Sequence, residues 1–192
     1  MSSLEKLFSP SQWNHKGKSS EEVIQEFIEV TKKSYEEAKR KIIALRDVDY
    51  GPNKLDIWGA NATDATHVFV FFHGGYWQAG SKADVGPMID LVVNGAGIPC
   101  VSVGYDYATN KPLKEIAAQA LTALKFIESR FMNAVFTVSG HSAVSGHSAG
   151  AYLAASAVSN LEDPRRIKQV ILISGIYELG EFAQTSEGRN IQ

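Results

Sequence analysis

The chain has 192 residues, 44% of them hydrophobic, which is enough apolar material for one globular domain, residues 1–192, with a sizeable core. Its 19 basic and 21 acidic residues leave a formal net charge of −2, which offers no footprint for nucleic acid or an anionic membrane. No apolar run approaches the ~18 residues of a membrane span, Met1 to Pro10 holds no signal-type apolar region, and a lone cysteine excludes an internal disulfide, so a cytosolic address is the default.

In chain order, Ser19-x-x-Glu22 is a capping box that opens a helix running to about Leu45, with Val23, Phe27 and Val30 as its apolar stripe. Val48–Tyr50 and Leu55–Trp58, split by the turn Gly51-Pro52-Asn53, predict an antiparallel hairpin. His67–Phe72 predicts a buried strand. Asp84–Asn94 predicts a helix with Val85, Met88, Ile89 and Val92 inward. Ile98–Val103 predicts another strand, in which Cys100 is a buried small hydrophobe. Leu113–Arg130 predicts a helix with Ile116, Ala120, Leu124 and Ile127 on one face. Ala134–Val138, a helix over Ala149–Leu161 and a strand over Ile167–Ser174 complete the pattern. Strands alternating with amphipathic helices imply an α/β fold whose mostly parallel sheet is covered on both faces.

Two motifs carry chemistry. Gly146-His147-Ser148-Ala149-Gly150 lies between a strand and a helix, the setting of a nucleophile elbow, where a strained turn presents the serine and only glycine tolerates the close approach at −2 and +2. The apolar run Val68–Phe72 opens into His73-Gly74-Gly75-Tyr76-Trp77, a loop of the type that aims backbone N–H groups at an oxyanion. A nucleophile and an oxyanion hole thus occur in the expected chain order.

Two features depart from that pattern. Val138-Ser139-Gly140-His141-Ser142-Ala143 recurs directly as Val144-Ser145-Gly146-His147-Ser148-Ala149. Ser148 has glycine on both sides whereas Ser142 has Val144 at +2, so Ser148 is the expected nucleophile. The six extra residues are then expected inside or before the fifth strand, where an even number preserves the in–out alternation. In addition, the five histidines are His15, His67, His73, His141 and His147, and none comes after Ser148. A serine at its free pKa is a weak nucleophile without an adjacent base.

Each candidate has a plainer alternative. Ser148 would otherwise be a helix N-cap. His73 is expected to brace its loop by hydrogen-bonding backbone, His147 to be a satisfied core histidine pointing away from Ser148, and His141 to be a by-product of the repeat. His15 and His67 read as surface or strand-start residues. Tyr76 and Trp77 either pack or wall an apolar pocket. Asp163, Glu178 and Glu181 are expected to be solvated surface charges.

The stretches Ser9-Pro10-Ser11-Gln12-Trp13, His73-Gly74-Gly75-Tyr76-Trp77-Gln78-Ala79-Gly80-Ser81-Lys82, Gly146 to Ala155 and Ile173-Ser174-Gly175-Ile176-Tyr177-Glu178-Leu179 resemble the kynurenine formamidase (arylformamidase) branch of the α/β-hydrolases across nearly the whole chain. The resemblance implies the α/β-hydrolase fold and hydrolysis of N-formyl-L-kynurenine to L-kynurenine and formate, a step of tryptophan breakdown, in the cytosol. It also implies that no metal or organic cofactor takes part, that the partner is a small-molecule substrate, and that Ser148 is the nucleophile with Gly74, Gly75 and Ala149 supplying oxyanion N–H groups. Against the family pattern, the chain stops before the last two strands and holds no counterpart of the triad aspartate and histidine. The expectation is therefore an incomplete, impaired hydrolase. A carboxylesterase of the hormone-sensitive-lipase type and a catalytically dead binding chain are the alternatives. Assembly is left open, with a homodimer as one option.

Overall fold

The computed structural model describes residues 3–61, 64–141, 149–186 and 188–191. The apolar run after His67 forms β3 (His67–His73), and every residue from Val68 to His73 is buried. β3 lies near the middle of a six-stranded sheet of order β1-β2-β4-β3-β5-β6. It pairs in parallel with β4 (Cys100–Val103) on one side and β5 (Val135–His141) on the other. β6 (Ile167–Leu172) extends the parallel set beside β5. The predicted hairpin is present as β1 (Ala44–Asp49) and β2 (Lys54–Trp58), antiparallel to each other, with β2 antiparallel to β4.

A strand apolar on both faces needs cover on both. Val68, Val70 and Phe72 pack with α4 (Leu113–Arg130) and α5 (Ala149–Ser159) through Ile116, Leu124, Leu153 and Ala157. Phe69 and Phe71 face the other way, against Trp58, Ala38 of α2 (Ser20–Lys41) and Val85, Ile89 and Val92. α4 has the predicted bounds, and its four predicted core positions are buried.

The differences from expectation are local. α2 opens with the predicted capping box, Ser19 N donating to Glu22 Oε2 at 2.7 Å and Glu22 N to Ser19 Oγ at 3.2 Å. It ends at Lys41, not near Leu45, because Ile42 turns extended and Leu45 pairs with Ile57 in the sheet. Its inward face is Phe27, Thr31, Tyr35 and Ala38, while Val30 is 57% exposed. The helix expected over Asp84–Asn94 is three pieces: a 3-10 turn at Lys82–Val85, α3 (Gly86–Asp90) and a π-turn at Leu91–Gly95. Ahead of α2, Ser3–Leu7 forms α1 and Pro10–Gln12 a 3-10 turn.

The repeat is not absorbed where the sequence pattern places it. β5 enters the first copy and is described as far as His141, with Val138 opposite Val70, Gly140 opposite Phe72 and His141 opposite His73. Phe136 and Val138 are fully buried in this register. Sliding the strand by six residues would put His141 in place of Val135 and Ser142 in place of buried Phe136 in a central strand, so the extra residues fall after His141, ahead of α5.

Candidate active site

β3 delivers the loop. After His73 the backbone enters the left-handed region at three successive residues, Gly75 (φ 106°), Tyr76 (φ 55°) and Trp77 (φ 57°). A Cβ on Gly75 would run into the Ala79 carbonyl, so both conformation and space demand glycine there. The two non-glycine residues are strained, and such strain persists only where neighbours impose it. Gly75 O accepts from the N–H groups of Gln78 and Ala79, each at 2.9 Å, and Ala108 N donates to Trp77 O at 2.6 Å. Among the described residues, no main-chain acceptor meets the N–H groups of Gly74 or Gly75.

His73 braces this loop. Its Nδ1 lies 2.8 Å from Gly74 O, and a carbonyl can only accept, so Nδ1 carries the proton. Its ring stacks on Tyr105 at 4.0 Å, and Tyr105 Oη donates back to His73 O at 2.6 Å. Burial holds the imidazole neutral, with its pKa lowered to about 4. Tyr107 Oη donates to Gly80 O at 2.6 Å, closing the far side of the loop.

The side on which the sequence places the nucleophile is built by close approach. A Cβ on Gly150 would overlap the carbonyls of Phe72 and His73, and one on Gly140 would overlap the backbone of Gly150. The end of β5 and the first turn of α5 are therefore in backbone contact, through Gly140; Gly146, the glycine that the motif places two before the serine, lies outside the described residues. Ala149, fully buried, is the first residue of α5, and the positive end of an 11-residue helix sits beside the loop. Ser142, Gly146, His147 and Ser148 lie outside the described residues, as does the side chain of His141.

A sheet of this strand order, with a glycine loop after β3 and a helix pressed against it after β5, can be compared with known folds. The profile of the alpha/beta hydrolase fold matches residues 69–192, about two thirds of the chain. The chain belongs to the α/β-hydrolase family. Its sequence is 34% identical to kynurenine formamidase of Salmo salar over 184 residues, covering 92% of this chain and 60% of that protein. It is 32% identical to kynurenine formamidase of Danio rerio over 191 residues, covering 95% of this chain and 62% of that one. The chain thus spans about three fifths of the curated relatives it matches. In structure it resembles a Silicibacter sp. protein assigned as a thioesterase, with a TM-score of 0.77 at 20% identity, covering 98% of this chain and 70% of the other. That likeness speaks for the fold.

The remaining candidates separate in this structure. Trp77 is fully buried in the core and meets Tyr152 edge-on at 5.5 Å. Tyr76 instead stacks on Phe182 at 5.2 Å, donates to Phe8 O at 2.5 Å and lines a cavity of about 600 Å³ between the loop and α2. His67 contacts Thr137 Oγ1 at 2.9 Å from the far end of β3, and His15 is exposed. None of the described histidines is placed to serve as a base beside α5. Asp163 is exposed and forks onto Arg165, and Glu178 and Glu181 are exposed. Among the described residues, no cluster of His, Cys, Asp or Glu is gathered to hold a metal.

One polar group near the site went unread in the sequence. Asp56 of β2 is fully buried and accepts from Lys82 Nζ at 2.6 Å, Tyr35 Oη at 2.9 Å and Asp47 N at 2.8 Å. Lys82 also reaches Asp47 at 3.0 Å. It thereby ties the end of the glycine loop to the hairpin and to α2. The available signal was a carboxylate inside the otherwise apolar run Leu55–Trp58, which a buried strand carries only when it is paired.

Proposed function

We propose that this chain carries the nucleophile and oxyanion half of a serine hydrolase that cleaves the formamide of N-formyl-L-kynurenine, giving L-kynurenine and formate. The observation that carries the reading is the strained loop after β3, with two N–H groups open to a ligand, meeting the N-terminus of α5 directly behind Ser148. The formamidase relatives support the substrate. Ser148 Oγ attacks the formyl carbon, the carbonyl oxygen gains charge, and the N–H groups of Gly74, Gly75 and Ala149 stabilise it; the aryl amine then leaves with a proton, and water releases formate from Ser148. His73 is not the base, since its Nδ1 is committed to Gly74 O and its ring is buried.

The test uses two proteins, the 192-residue chain and a fusion of it to the region of the salmon relative beyond the match. The fusion is expected to cleave N-formyl-L-kynurenine with a higher kcat/KM than p-nitrophenyl acetate, and to lose about 10⁶ in kcat in Ser148→Ala but not in Ser142→Ala. The 192 residues alone are expected to turn over near background, because no described histidine serves Ser148. A fusion that prefers the ester would move the reading to a carboxylesterase. A fusion that labels with a fluorophosphonate probe yet cleaves neither substrate would overturn both.

A further inference from the structure

The cavity beside the glycine loop has a wall that the proposed chemistry does not use. Gly74, Gly75 and Tyr76 form one side. The other is a single face of α2: Ile24, Phe27, Ile28, Tyr35 and, among them, Lys32. These positions are spaced three and four apart, so the side chains stand together along the helix. Ile24 and Ile28 are 37% and 49% exposed, an unusual state for apolar residues that share a helix face with buried Ala38.

The charges on this wall are unequal in their commitments. Glu36 is paired with Lys39 at 2.9 Å, and Asp84 accepts from Ser81 N at 3.1 Å. Lys32 makes no ion pair among the described residues, although its side chain stands at the cavity wall. An apolar cleft of about 600 Å³ with at its rim an exposed lysine, outside any ion pair and attracted only at longer range by Glu36, matches the size and polarity of a small-molecule site. From Lys32 back to Ile24 the helix spans about 12 Å, room for one aromatic ring and a short chain.

We propose that this cleft holds the body of the substrate and that Lys32 selects ligands carrying a carboxylate. The reacting carbonyl lies at Gly74 and Gly75, the aromatic body rests on Phe27, Ile28 and Tyr76, and the carboxylate reaches Lys32 Nζ. This rests on the reading of the glycine loop as an oxyanion hole and adds the substrate class: aryl amides or esters with an anionic tail.

Binding to the 192-residue protein, measured by calorimetry, tests it without requiring turnover. Two matched pairs are used: N-formyl-L-kynurenine with the same aryl formamide lacking its carboxylate, and 4-phenylbutyrate with 4-phenylbutanamide. In each pair the carboxylate is expected to bind about tenfold more tightly, the scale of one charge-assisted hydrogen bond at a hydrated rim. Lys32→Met should erase that ratio and Lys32→Glu should invert it, while Lys33→Met, one residue along on the same helix, should leave it unchanged. Formamides that bind with no carboxylate preference would overturn the role of Lys32 and leave the formamidase reading standing. A Lys32-dependent preference confined to the phenylbutyrate pair would support Lys32 and remove the formamide substrate. Binding of none of the four ligands would overturn the cleft assignment.

Discussion

β3 and β5 are parallel neighbours, paired from His67 opposite Val135 to His73 opposite His141, and both end at the edge where the candidate chemistry lies. Their exits from the sheet differ. The loop after β3 is held from every side: by His73 and Tyr105 from within the core, by Tyr107 and Ala108 across the sheet edge, and by Lys82 through buried Asp56. β5 runs out into the repeated hexapeptide, and its outer neighbour β6 leaves Val170, Ile171 and Leu172 about 40% exposed. Those apolar side chains lie on a strand with no further partner among the described residues, a surface prone to pairing with other chains. The proposed oxyanion loop is therefore positioned by contacts of its own, while the proposed nucleophile side depends on the connection between β5 and α5, which holds the repeat.

The strongest way to break the first half is to remove Lys82, the partly exposed cation paired with buried Asp56. Lys82→Met leaves Asp56 charged and fully buried with only Tyr35 and a backbone N–H as donors, which should cost about 3 kcal/mol of stability, read as a lowered urea midpoint. An unchanged midpoint would mean that the loop is not anchored through Asp56. Gly75→Val attacks the loop from inside. The left-handed backbone and the nearby Ala79 carbonyl both oppose a side chain, so the N–H groups proposed for the oxyanion hole should shift. In the salmon-completed fusion, losing one such donor should lower kcat by about 10²–10³ with little change in KM. A change in KM alone would assign the loop to binding.

This asymmetry also governs how much the sequence conveys. Six strands, their parallel core and the full extent of α4 are legible from periodicity, because long apolar runs and amphipathic repeats are decided locally. The end of α2 and the pieces between Lys82 and Gly95 depart from it, because sheet pairing by Leu45 and the packing of α3 override helix propensity. The site is legible where a motif needs glycine. The Asp56–Lys82 bridge is not, since its partners lie 26 residues apart and meet only after β2 and the loop are in place. The register of β5 escapes the sequence pattern for a related reason. Local turn chemistry points to the second copy of the repeat, but the positions of Val135 and buried Phe136, which a six-residue slide would give to His141 and Ser142, decide which copy completes the strand.

Acid should loosen the first half selectively. His73 in an unfolded chain takes a proton near pH 6.5, whereas in the fold it stays neutral until about pH 4. Between these values the unfolded state binds more protons, so stability is complete above pH 6.5 and falls as pH drops through the window, by roughly 3 kcal/mol at its lower end. Urea unfolding at pH 7.5 and pH 5 should show this slope, and His73→Gln should flatten it while lowering stability at both values. A slope that survives the substitution would place the acid-sensitive group elsewhere.

The smallest expected effect tests the second half. Gly140 and Gly150 already touch through their backbones, although residues 141–149 separate them in sequence. Deleting residues 142–147 would leave Gly140-His141-Ser148-Ala149-Gly150, an elbow with three residues between the same two glycines. The β5 register and the packing of α5 against Phe72 and His73 need not change, so the deletion acts on the connection alone. Closing three residues in place of nine lowers the entropic cost of the loop by about 1 kcal/mol, a rise of roughly 2–4 °C in Tm for a chain of this size. The exposed face of β6 lies on the far side of β5, so aggregation through that face should persist in the shortened protein. A fall in Tm would show that the six residues make contacts the core relies on, and it would make the junction after β5 an integrated part of this fold.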